Sequence, residues 1–463
     1  MWHRKEFQAV VLAGSKGSRM TELTAGRAKC LLPIGNFPMI FYPLKLLECT
    51  GFMEVIVVAP EDLKNEIASA IEDMGLRTKI DLVGIPGGDD LGTADILRSI
   101  HEKFYTDVVV VSCDLVTCVD LTAIFDSYRT HSASITALLF QVPTVPDKFI
   151  NPGPRSKVKP EKDLIGIDKE TGRLIFLASA SDFEETINIS RKLYKKHMDF
   201  QIHSKLLDAH LYVIRKWVLD YLVTDKSISS IKGELLPYII KKQLAASNNP
   251  KKMEKNTSII GKNTKKDVFQ FAMENPWDKR HKPLCVLIAE MSAFNDHSTN
   301  LESAYNGDLI KCYAVIESNQ FGARANNVQM YALANKIINE DWFFMDEVPL
   351  IKPSEEPVIK SNQVVNCRIN KKVVINEKTS LKDTYIDTNS VIETKTRVLN
   401  SILMENVVIK EGCVISNCIL CNDSVVEKGC ELNHCIVGAN HTVPAGSRYS
   451  DEVLTDIDNL MEI

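Results

Sequence analysis

No stretch of the 463-residue chain approaches the ~20 consecutive apolar residues needed to cross a bilayer. The strongest run, Val108 to Cys113, has the length of a strand. A cationic surplus is also missing. Lys plus Arg number 55 against 60 Asp plus Glu, a net charge of -5, which argues against a protein held to nucleic acid mainly by phosphate neutralisation. The first residues, Met-Trp-His-Arg-Lys-Glu, lead into no h-region or small-residue cleavage site, so no secretory signal is expected and the expected location is the cytosol or the nucleus, both reducing. Twelve cysteines in such a compartment are expected to be free thiols rather than a disulfide framework. What remains is ordinary globular composition, 45% apolar and 25% charged, and a length that suggests about three domains.

The first third alternates β-branched runs with helical patterns, which predicts a parallel sheet covered by helices. Phe7 to Ala13, Met53 to Ala59, Lys79 to Ile85 and Asp107 to Cys113 read as strands, with helices over Pro38 to Cys49 and Pro60 to Met74. A strand over Ile202 to Ile214 and a helix over Ile228 to Leu244 complete an α/β domain spanning 1–246. Residues 247–357 begin with a polar, Lys-rich linker and continue into a poorly defined middle region with a helix-like Met330 to Ile338. Trp217, Leu219, Tyr221 and Leu222 form a stripe that reads as core before it reads as an interface.

Residues 358–463 carry a repeat. Val408, Val414, Leu420, Val426 and Leu432 follow one another at six-residue spacing, and Ile375/Leu381 and Val437/Val443 continue it with single-residue slips. Gly412, Cys418, Ser424 and Cys430 supply a small residue two positions earlier. One aliphatic and one small residue per six predicts a parallel β-helix of hexapeptide repeats. Cys413, Cys418 and Cys421 also have the C-x4-C-x2-C spacing that some iron–sulfur proteins use, but the repeat already accounts for thiols at its small positions.

The chemistry-bearing residues cluster near the ends of the predicted strands. Leu12-Ala13-Gly14-Ser15-Lys16-Gly17-Ser18-Arg19-Met20 follows the first strand, where glycines let backbone amides approach a polyphosphate and Arg19 would clamp its oxygens. Lys29, the Leu91-Gly92-Thr93-Ala94 segment and Asp114 just past the fourth strand complete the set. In an open α/β sheet all of these reach the carboxyl edge, where Asp114 would hold a divalent cation against a triphosphate.

These segments, in this order, resemble the sugar-nucleotide pyrophosphorylase (nucleotidyltransferase) family. The resemblance implies a Rossmann-like nucleotidyltransferase domain followed by a left-handed β-helix. It also implies a nucleotide site at Gly14, Gly17, Arg19, Lys29, Gly92 and Thr93, with Mg2+ on Asp114. Several positions depart from the family pattern: Ser15 replaces a glycine, Cys30 a proline, and His210 stands where a glycine would let backbone approach a sugar. The sugar-side Glu-Lys-Pro has only Lys159-Pro160-Glu161-Lys162 as its nearest match. The scaffold reads as retained and the chemistry as eroded, leaving the nucleotide residues vestigial or structural, with no cofactor required.

A narrower resemblance rests on Met20-Thr21-Glu22-Leu23-Thr24, Leu31-Leu32-Pro33-Ile34-Gly35-Asn36, Ser112-Cys113-Asp114-Leu115, Asp208-Ala209-His210-Leu211-Tyr212 and Leu460-Met461-Glu462-Ile463. It is to the gamma-subunit family of eukaryotic translation initiation factor 2B, a guanine-nucleotide exchange complex. That resemblance implies a non-catalytic regulatory or structural subunit of the factor that recharges initiation factor 2 with GTP. Its expected partners are the epsilon subunit and the other subunits of that complex, with initiation factor 2 as the complex's substrate and no direct nucleic-acid or membrane contact. The family's exchange activity resides in a helical domain of epsilon, and no such domain is expected after the β-helix here. The competing expectation is an active sugar-1-phosphate nucleotidyltransferase.

Overall fold

The computed structural model describes residues 6–15, 17–25, 27–86, 91–142, 151–154, 163–179, 189, 191–244, 267–273, 309–318, 320–341 and 355–455. Lys159–Lys162, the linker at 246–266 and Leu460–Ile463 lie outside the described residues. The first domain is built on a seven-stranded sheet: β1 (Phe7–Leu12), β2 (Glu54–Pro60), β3 (Lys79–Ile85), β4 (Asp107–Ser112), β5 (Ile135–Gln141), β6 (Leu206–Ile214) and β7 (Cys312–Glu317). Their spatial order is β7-β5-β6-β4-β1-β2-β3. Only β6 runs against its neighbours; β1 lies parallel to β2 and β4, and β7 parallel to β5.

Both faces of this sheet are covered, which is why its central strands are continuously apolar. Alternate residues of β1 and β4 enter two separate cores, Val10 and Val110 one of them, Ala9 and Val109 the other. The covering helices are α1 (Phe41–Cys49), α2 (Lys64–Asp73), α3 (Thr93–Ser99), α4 (Thr122–His131), α5 (Lys216–Thr224) and α6 (Leu236–Gln243). Trp217, Leu219, Tyr221 and Leu222 on α5 are all core. The expected strand over Ile202 to Ile214 is two, Phe200–His203 joining a separate three-stranded sheet before β6 begins. The expected helix over Ile228 to Leu244 starts only at a π-type turn, Ile231–Leu235, which leads into α6.

Part of the stretch left undefined by sequence belongs to this domain's architecture. β7 is the sheet's edge strand, in register with β5 from Cys312↔Ile135 to Glu317↔Phe140. Gly322–Arg324 then pairs antiparallel with Leu115–Thr117, just beyond β4. Helix α7 (Val328–Asp341) follows.

Residues 358–454 wind into a left-handed parallel β-helix of three six-stranded sheets. Partners are 17 residues apart, as in Val374↔Val391↔Val408↔Val425. The inward aliphatics are Ile375, Leu381, Ile386, Ile392, Val398, Leu403, Ile409, Ile415, Leu420, Val426, Leu432, Val437 and Val443, all buried. Their spacing is six, six and five residues, because one of the three turns is a residue shorter. This corrects the six-residue register: counting back from Leu420 in sixes crosses the short turn and lands on Val414, which is 37% exposed, and Val408, whose buried neighbours Ile415 and Ile409 point inward. The small position shifts likewise from Gly412 to Cys413, leaving Gly412 at a corner with φ of 79°.

The corners adopt left-handed backbone, and asparagine or aspartate supplies it at Asn389, Asn406, Asp423 and Asn440. Their side chains form ladders, Asn389 donating to Asn406 (3.2 Å) and Asn406 to Asp423 (2.9 Å). Cys413, Cys418, Cys430 and Cys435 fill small interior positions, each thiol directed at a backbone carbonyl. Cys421 faces the other domain, its Sγ 3.5 Å from the Glu22 carbonyl. The three cysteines of the iron–sulfur-like spacing therefore do not converge, and no metal-binding group of three or more ligands occurs among the described residues.

One side of the β-helix packs on the α/β domain. Tyr385, Ile402, Ile419 and Ile436, stacked at 17-residue intervals, join Met20, Leu23, Phe41 and Tyr42 in a shared apolar cluster. Helix α7 is wedged into it: Tyr331 donates to the Pro33 carbonyl (2.6 Å), Asn335 accepts from the Gly35 amide (3.0 Å), and Arg368 donates to the Ile338 carbonyl (2.9 Å). Arg27 reaches Asp387 across the same junction at 3.4 Å.

Candidate functional site

Strand order reverses between β1 and β4, so a crevice opens at their carboxyl ends, the usual ligand position in such sheets. The loop after β1 carries Gly14, Gly17 and Arg19. Gly17 has φ of +78° and accepts the Met20 amide hydrogen bond that closes the turn; a Cβ there would sit 2.8 Å from the Thr24 side chain. Gly14 is packed against Ile96, and Arg19 is exposed in the turn before Thr21–Thr24.

Asp114 leaves the end of β4 and is completely buried. Lys29, on a short 3-10 turn and 6% exposed, lies with its Nζ 2.6 Å from Asp114 Oδ2. Arg324 grips the same carboxylate as a fork, Nε donating to Oδ1 and Nη2 to Oδ2, both at 3.0 Å. Burial by itself would raise the Asp114 pKa, but the Arg324 and Lys29 charges outweigh it and hold the carboxyl well below the usual range. Sequence placed Lys29 and Asp114 at one site, and the structure joins them directly. It did not place Arg324, which arrives from 210 residues along the chain on a three-residue strand and has no spacing signal.

Gly92 and Thr93 pack against the chain near residue 230. A Cβ on Gly92 would overlap the Ser229 carbonyl at 2.1 Å, and that carbonyl accepts from the Ala94 amide at 2.8 Å. Thr93 Oγ1 accepts from the Ile231 amide at 2.9 Å. The segment that the family pattern assigns to a nucleotide base is thus fastened to residues 229–231, at the start of the π-type turn. Lys232 on that turn reaches Asp163 at 2.8 Å.

His210 lies in the same cluster. The strand register of β6 slips between Asp208 and Tyr212, and His210 takes φ of +49° there. A left-handed backbone is one that glycine adopts without strain, so the glycine of the family pattern answers a conformational need as well as a steric one. The His210 amide donates to Asp208 Oδ1 (2.9 Å), Tyr212 donates to Asp208 Oδ2, and the imidazole Nε2 is buried without a hydrogen-bond partner. Burial, reinforced by Arg324, holds the His210 pKa well below its ordinary value, so the ring is neutral. Burial raises the Asp208 carboxyl against the opposing charge of Lys232.

The donor set does not fit a resident divalent cation as folded. Both Asp114 oxygens already accept charged hydrogen bonds, and a dication at carboxylate distance would sit against two fixed positive charges.

A nucleotidyl transferase family model matches residues 8–148, and a GMPPB C-terminal domain model matches residues 363–453. The chain is 32% identical over 253 residues to translation initiation factor eIF2B subunit gamma of Caenorhabditis elegans, covering 53% of this chain and 61% of that protein. It is 35% identical over 249 residues to subunit gamma of Schizosaccharomyces pombe, covering 52% and 53%. A more distant match is subunit epsilon of the same yeast, 24% identical over 213 residues, covering 44% of this chain and 30% of that one. The matched part thus spans between about half and three fifths of the two gamma subunits. No helix among the described residues is long and apolar enough to cross a membrane. With its nucleotidyl transferase domain and its β-helix, the chain is a relative of the gamma subunits of translation initiation factor eIF2B.

Proposed function

We propose that this protein is a non-catalytic, structural and regulatory subunit of the guanine-nucleotide exchange factor that recharges initiation factor 2 with GTP. It works in the cytosol, paired with an epsilon-type subunit and joined to the other subunits of that complex. The similarity to gamma and epsilon subunits supports a role in translation initiation. The observation that carries the non-catalytic part is the Asp114 carboxylate, shared between Lys29 and Arg324 where nucleotidyl transfer would need it for a metal. The sugar side supports the same reading, since His210 fills the position expected to admit a sugar.

Co-expression with an epsilon-type subunit tests this. The expected result is a stable complex that releases labelled GDP from initiation factor 2, and no release by this chain alone. Failure to co-purify, exchange by this chain alone, or Mg2+-dependent pyrophosphate release with a sugar phosphate would each overturn the proposal.

A further inference from the structure

We infer that Arg324 is a built-in cation: its guanidinium takes the place of a divalent metal on Asp114, so this site binds no Mg2+. The inference deepens the reading of the site as non-catalytic and rests on it. It is carried by how firmly the guanidinium is placed. Main-chain pairing sets Arg324 opposite Leu115, and the Ala325 amide donates to the Asp114 carbonyl at 2.8 Å, so the residue beside the arginine is tied to the residue the arginine grips. The strand has no room to withdraw inward, because Gly322 already lies so close to Phe140 that a Cβ there would overlap its ring at 2.1 Å. The side chain then adds a two-point fork to a carboxylate with no exposed surface, and Lys29 adds a third charged contact.

Charge accounting points the same way. One carboxylate faces two cations, so the group a metal would neutralise is already over-neutralised. Admitting a dication would require the Arg324 fork, which occupies both Asp114 oxygens, to leave, stranding a mostly buried charged side chain without its partner while Lys29 still donates to one oxygen. Asp208, the nearby carboxyl, adds its charge to the surroundings of Arg324, and its oxygens are already engaged by the His210 amide and the Tyr212 hydroxyl. A fixed guanidinium differs from a metal in what it can do. It holds charge and geometry permanently, but it carries no water ligands and cannot bridge to phosphate oxygens through an open coordination position.

Mn2+ binding, followed by water-proton relaxation on the full chain, tests this. Wild type and Asp114→Asn should be indistinguishable, whereas Arg324→Gln, with the fork removed, should bind Mn2+ about tenfold more tightly than the Arg324→Gln/Asp114→Asn double variant. A wild-type affinity that falls about tenfold on Asp114→Asn would overturn the inference, as would a folded Arg324→Gln that gains no Mn2+. A measurement on wild type alone guards against variants that do not fold: its melting temperature should be the same in millimolar Mg2+ and in chelator, and a rise in Mg2+ that is absent with equal ionic strength of Na+ would overturn the inference. The co-expression experiment reads partnership independently of these arms, so a metal-binding site and a failed assembly are told apart.

Discussion

The two domains bury polar groups in opposite ways. In the β-helix, Thr384, Ser390, Ser401, Cys413, Cys418 and Cys430 lie inside the coil, and each one's hydroxyl or thiol finds a backbone carbonyl within its own coil or the next. The same local solution recurs along most of the coil, with the buried Ser424 hydroxyl as an exception, so no single residue carries the whole arrangement. In the α/β domain, charge is also buried in clusters: Asp168, Arg173 and His197 lie buried together, and at the end of β4 a single carboxylate is shared by Lys29 and Arg324, the three coming from distant parts of the chain. Repetition spreads risk, whereas a cluster concentrates it.

Asp114→Ala should sharpen the contrast most. It leaves Lys29 and Arg324 buried without the carboxylate they pair with, and a loss of about 3–5 kcal/mol is expected by chemical denaturation. The next effect is one of pH. His210 is held neutral in the folded state, while in the unfolded chain it takes up a proton near its ordinary pKa of about 6.5. Its contribution is therefore fully present above that value and declines as pH falls below it, by up to about 1.4 kcal/mol per pH unit. His131 and His197, also shifted down by burial, act in the same window. The check is thus the difference between wild type and His210→Asn, whose asparagine tolerates the left-handed backbone: the variant should lose less stability between pH 7 and 5. A difference of the opposite sign would mean that His210 is charged when folded.

The smallest effect belongs to the β-helix. Cys430→Ser keeps a small side chain able to donate to the Pro444 carbonyl, so its cost should stay within about 1 kcal/mol. If thermal melting placed it level with Asp114→Ala, the distinction between spread and concentrated polarity would fail.

What sequence made legible follows the same divide. The β-helix announced itself because its aliphatics recur, and only the short turn, five residues instead of six, displaced Val408 and Val414 to the outer surface. The parallel strands were readable from their unbroken apolar runs, and Lys29 and Asp114 from their motifs. Arg324 was not readable, since its place depends on a three-residue strand with too few residues to show a period. β7 was hidden for a related reason: Cys312–Glu317 is a short edge strand, only partly buried, and its partner β5 lies 177 residues earlier in register. The role of His210 was half legible, because a residue at a glycine position signals something unusual, but a positive φ is not written in composition.

The position of β7 also constrains how the protein is made. Its sheet includes a strand that leaves the ribosome only after residue 317, and α7, which holds the two domains together, ends at residue 341. The α/β domain therefore cannot close its own edge when residue 244 emerges; it must wait, with β5 exposed along one side, for about seventy more residues to be synthesised, which at ~5–20 residues per second is a delay of several seconds. An open strand edge for that interval is a natural point of engagement for chaperones and a weak point for premature pairing with other chains.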